Sequence, residues 1–100
     1  MKEMYAVFLF DSESAGQARE LLEDDLVSRQ SITLRDAKAL GTAFEGLLVV
    51  IEGDQTAIMR FEEMVVDKGE KLAEEDADRV LDLLRKEEED AAEGVGFLFG

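Results

Sequence analysis

Residues 4–10, MYAVFLF, are apolar on both alternating faces, with Tyr5, Val7 and Leu9 on one and Met4, Ala6, Phe8 and Phe10 on the other. A strand with two apolar faces belongs in the middle of a sheet. Residues 46–53, GLLVVIEG, form a continuous β-branched run between glycines and predict a second central strand. A helix is expected to start between them near Ala15. Ser14 and Gln17 have capping-box spacing, and Ala15, Ala18, Leu21, Leu22 and Leu26 make one apolar stripe. SITLRDAKAL reads two ways: Ile32 and Leu34 alternate as in a strand, whereas Leu34, Ala37, Leu40 and Phe44 recur at helical spacing. A strand over 31–38, then a loop through Gly41 and Gly46, is the expected solution.

Asp54 is placed to cap a second helix ending at Gly69, with Lys68 in its last turn and Ala57, Ile58, Phe61, Met64 and Val65 as its buried stripe. A third, acidic helix spans 74–93 and stops at Gly94. Its apolar positions are Ala73, Ala77, Val80, Leu81 and Leu84, and no large apolar residue follows until Val95, so its back half should overhang the core. The ending GVGFLFG alternates like a strand. It is either a closing strand placed beside the first or an exposed apolar tail.

The resulting order predicts one α+β domain over 1–100. It is a ferredoxin-like βαββαβ two-layer sandwich with an extra acidic helix before the last strand. Two layers cover only one face of a sheet, yet both central strands are apolar on both faces. The uncovered patch would be Phe8, Phe10, Leu48 and Val50, or else Tyr5, Val7, Leu9, Leu47, Val49 and Ile51. Such a patch marks an interface, covered by a second subunit packing sheet on sheet or by the third helix folding back. A homo-oligomer associating through its sheet is expected.

Composition narrows the chemistry. Cysteine and histidine are both absent. This excludes disulfides, thiolate and imidazole metal sites, cysteine nucleophiles and the usual Ser-His-Asp arrangement. Asp, Glu, Lys, Tyr and Ser remain as catalytic side chains, but the carboxylates lie mostly in helical runs that radiate outward, so a non-enzymatic role without a resident cofactor is expected. The net charge of −14 disfavours nucleic acid and anionic membranes and favours divalent cations or a basic protein partner. No apolar run approaches the length of a membrane span, and MKEMYAVFLFDSES lacks a signal-peptide layout, so a cytoplasmic protein is expected. Abundant charge with no asparagine suits a thermophilic archaeon or bacterium, although the absence of proline points the other way.

Three sets of residues are candidates for binding. Glu74, Asp78 and Asp82 share one helix face and, with Asp24 and Asp25, could hold calcium or magnesium. Against this, Glu75–Arg79 and Asp82–Lys86 have the spacing of a solvated ion-paired face, and Arg29 could pair with Asp25. Asp24 and Asp25 also sit near a helix C-terminus, where negative charge is unfavourable. The third set lies in DSESAGQ, where Gly16 follows Asp11 by five residues. This junction resembles that of ACT domains, in which a glycine near the first strand–helix turn helps bind an amino-acid effector. The resemblance spans about ten residues and implies Asp11 and Gly16 as ligand residues.

Overall fold

The computed structural model describes residues 4–99, with side chains described through residue 89. The elements are β1 (Met4–Phe10), α1 (Ala15–Leu21), β2 (Ser31–Asp36), α2 (Ala37–Leu40), β3 (Leu47–Gly53), α3 (Gln55–Met64), β4 (Glu70–Lys71) and α4 (Glu74–Phe99), with a single 3-10 turn at Val27–Arg29. The protein is a mixed α+β fold around a four-stranded sheet in the order β2-β3-β1-β4, with every neighbouring pair antiparallel.

β1 and β3 occupy the centre, as their doubly apolar patterns require, and their register decides which residues share a face. Phe8 lies opposite Val49 and Phe10 opposite Leu47, while Val7 faces Val50 and Leu9 faces Leu48. One face packs Phe8, Phe10, Val49 and Ile51 against Ala18 of α1, Val27 of the 3-10 turn and Ile58 and Phe61 of α3. The Phe61 ring meets those of Phe8 and Phe10 edge-on, at centroid separations of 5.0 and 6.1 Å, a favoured aromatic geometry. The other face packs Val7, Leu48 and Val50 against Ala37 of α2, Leu72, and Ala77 and Val80 of α4.

The sheet is therefore a middle layer, with α1 and α3 on one side and α2 and α4 on the other, and this corrects the two-layer expectation. The third helix folds back and covers the second face within the same chain. A further correction concerns the ending. The strand expected over 95–99 is helix, so the acidic helix follows the last strand instead of preceding it. The place beside β1 is taken by β4, which pairs Lys71 with Phe8 and Glu70 with Leu9. Extending an established helix costs far less than nucleating one, and this lets α4 run through Gly94 and Gly96 despite the roughly 1 kcal/mol each glycine costs.

Three further boundaries differ from expectation, the first being the end of α3, which stops at Met64 with Val65 as its C-cap and not at Gly69. α1 ends at Leu21 because the Asp24 carboxylate accepts hydrogen bonds from the backbone N–H groups of Leu26 and Val27, starting a new turn. Ser14 makes no side-chain cap; the Asp11 carboxylate accepts from the Ser14 N–H instead, at 2.9 Å. The segment after β2 is a short helix, capped by Asp36 accepting from the Ala39 N–H and closed by Gly41 at φ 104°, the left-handed conformation that favours glycine.

Candidate functional site

The clearest candidate is an open cleft of about 340 Å³ where the β1–α1 junction meets β2 and β3. Ser12, Ala15 and Arg19 form its helix-side wall, Leu34, Arg35 and Asp36 come from β2, and Gly46 and Leu47 close the back. The local fold explains each position. Alternation along β2 turns Leu34 toward the α1 side, where it packs on the core with Ile32. Gly46 sits at φ 124°, and a Cβ there would overlap the Phe10 carbonyl oxygen, so only glycine lets the chain enter β3 this close to β1.

The cleft combines an apolar floor, Leu34 and Leu47, with a charged rim of Arg19, Arg35 and the Asp36 carboxylate, which accepts from the Ala39 N–H. Arg35 is engaged: its Nε and Nη2 donate to one Glu87 carboxylate oxygen at 3.0 and 2.8 Å, and its Nη1 donates to the Leu34 carbonyl at 2.8 Å. Arg19 is exposed and makes no ion pair with any described side chain. An apolar pocket with a few placed polar groups is the usual form of a small-molecule site. An arginine with its fork free is suited to a carboxylate.

A larger groove of about 410 Å³ runs along the opposite edge of the sheet, past Met4, Tyr5, Val7, Leu72 and Glu74. Two of its polar groups, Tyr5 and Lys71, are already used. The Tyr5 hydroxyl donates to Asp78 of α4, and this bond, with desolvation, raises the phenol above its ordinary 10.0. Lys71 on its rim lies 3.4 Å from Glu62.

The five carboxylates expected to hold a cation fall into two groups on opposite sides of the sheet. Asp24 packs on the α1–α3 side with its side chain only 15% exposed, and both oxygens take hydrogen bonds from Arg60, at 2.8 and 2.9 Å. The Arg60 bond, aided by the Leu26 and Val27 amides, holds Asp24 below its ordinary 3.8. Asp25 is adjacent and exposed. Glu74, Asp78 and Asp82 lie on α4, with Asp78 accepting from Tyr5 and Asp82 4.0 Å from Arg85. Among the described residues no group of three or more acidic side chains is placed to hold a metal ion.

The proposed interface set also divides. Phe8 and Phe10 are buried on the α1–α3 face, and Leu48 and Val50 on the α4 face. The alternative set, Tyr5, Val7, Leu9, Leu47, Val49 and Ile51, is divided between the same two faces. Asp11 folds back on Ser14, and Gly16 is exposed on α1, so the junction residues lining the cleft are instead Ser12 and Ala15.

Sequence reasoning missed Arg19 and Arg35. A signal was available: between Asp25 and Glu45 the chain carries three cations, Arg29, Arg35 and Lys38, and only one acid, Asp36, within a molecule of net charge −14. No family model, curated protein or solved structure matches the chain. Among the described residues no helix is long and apolar enough to cross a membrane.

Proposed function

We propose that this chain is a non-enzymatic binding module on a ferredoxin-like βαββαβ frame, taking a small ligand with an apolar body and a carboxylate. The strand order read from the other edge, β4-β1-β3-β2, with α1 and α3 on one face, supports that frame. α4, closing the second face, is an addition to it. The observation that carries the functional reading is the cleft at the β1–α1 junction, with Leu34 and Leu47 beneath and Arg19 free at its rim. The ligand's apolar part would lie on the two leucines and its carboxylate would meet the Arg19 guanidinium. This narrows the small-effector reading suggested by the ACT-like junction and moves its ligand residues from Asp11 and Gly16 to Ser12, Ala15 and Arg19.

The test is a titration by NMR and calorimetry with branched-chain amino acids and their 2-oxo acids. Binding should shift Arg19, Leu34 and Leu47 resonances, and Arg19→Ala should weaken it about tenfold or more, the scale of a hydrogen bond to a charged group. No perturbation of these residues by any of these acids at millimolar concentration would defeat the reading.

A further inference from the structure

The two edges of the sheet are protected unequally. β4 is two residues long and both are charged, Glu70 and Lys71, which are devices that keep an edge from pairing. β2 has six residues, pairs with β3 from Ser31 to Asp36 without a bulge, and has no other strand neighbour among the described residues. Its ladder continues into a hydrogen bond from the Ala37 N–H to the Gly46 carbonyl at 2.8 Å. Alternation from that bond turns the peptide groups of Thr33 and Arg35 toward β3, and those of Ile32 and Leu34 outward. The Leu34 carbonyl, facing outward, accepts from the Arg35 Nη1 at 2.8 Å, a bond that pairing of this edge would share or displace.

We infer that the β2 edge pairs with the β2 edge of a second copy of this chain, antiparallel about a two-fold axis at Thr33. The pattern is self-complementary at that register. Ile32 and Leu34 of one copy lie opposite Leu34 and Ile32 of the other, at positions whose N–H and C=O groups face outward. Both side chains are half-buried against the core and both lie on the α1–α3 face, so the pairing joins two apolar strips into one. Thr33 meets its own mate, and Ser31 lies opposite Arg35. Moving the axis to Leu34 would set Ile32 against Asp36, which the Thr33 register avoids.

Charge selects the same edge. Two molecules of net charge −14 repel over most of their surfaces. β2 lies inside the one long stretch where cations outnumber acids, and two of those cations are already neutralised, Arg35 by Glu87 and Lys38 by Glu45. This is where two copies approach with least opposition. Added salt should therefore strengthen the association by screening the remaining repulsion. The inference does not depend on what the neighbouring cleft binds.

The test is analytical ultracentrifugation of the full chain from micromolar to millimolar concentration, at low and at 0.5 M salt. Dimers that tighten with salt are expected. Thr33→Glu and Thr33→Arg should each weaken the dimer tenfold or more, by placing like charges on the axis, and an equimolar mixture of the two should restore it. Hydrogen exchange of the wild type supplies a readout without substitution, with the Ile32 and Leu34 amides slowing as concentration rises. A monomer at every concentration and salt would overturn the proposal. So would a dimer indifferent to both Thr33 variants, or one in which the Ile32 and Leu34 amides exchange at a constant rate.

Discussion

The two faces of the sheet are closed by different means. The α1–α3 face is aromatic and fully interlocked, with Phe8, Phe10 and Phe61 all at 0% exposure and their rings in edge-on contact. The α4 face is aliphatic, and its helix contributes small side chains, Ala77 and Val80, with Leu81 and Leu84 only partly buried. Polar contacts at the margins help fix α4: Tyr5 with Asp78 at one edge strand's side, and Arg35 with Glu87 at the other. A helix of 26 residues is about 39 Å long, while β1 has seven residues and spans roughly 23 Å, so α4 exceeds the sheet it covers. Packing dominates one face. On the other, a shallower contact is supplemented by exposed pairs.

This difference can be broken by substitution, beginning where the effect should be largest. Phe61→Ala removes the ring that joins β1 to α3 and should cost about 3–5 kcal/mol in denaturant unfolding. Val80→Ala on the opposite face should cost about 2 kcal/mol, as expected for loss of two buried methyl groups. Equal losses, despite the much smaller deletion at Val80, would show that the α4 face contributes more per group removed. The Arg35–Glu87 pair, with side chains 43% and 45% exposed, should show a coupling below about 1 kcal/mol in a double-mutant cycle, falling further with salt.

The most confined effect lies at acid pH. The folded state holds Asp24 below its ordinary 3.8, so its stabilisation is complete above that value and is lost as pH falls through the lowered one. Asp24→Asn should flatten the stability–pH curve below about pH 4, leaving its slope near neutrality unchanged. An unaltered acid limb would remove Asp24 from the forces joining the α1–β2 connection to α3.

Legibility in the sequence followed the same division. β1 and β3 were plain because unbroken apolar runs allow few alternatives, and the α3 stripe through Ala57, Ile58 and Phe61 was equally clear. Face assignment failed because it needs register: Phe8 pairs with Val49, so even positions of β1 share a face with odd positions of β3. Element ends failed where tertiary partners decide them, as at Asp24, whose dual contact with Arg60 and the next turn ends α1 early. β4 is two charged residues held by β1 and has no periodicity to detect. At 95–99 the alternating pattern suggested a strand, whereas in the structure the preceding helix continues. The cleft went unread because Arg19 and Arg35 are sixteen positions apart and meet only when β2 packs beside α1.

Within a single chain, α4 covers the second face of the sheet. The absence of cysteine allows a direct measurement, because one introduced thiol reports one site. Val50→Cys lies on that face at 3% exposure, and Val66→Cys, at 77%, is the exposed control. At a concentration where ultracentrifugation shows a monomer, labelling of Val50→Cys should be slower than that of the control on the order of 100-fold or more, because it requires α4 to open. Labelling of Val50→Cys as fast as Val66→Cys, or protection that appears only as concentration rises, would contradict it and identify a second subunit as the cover.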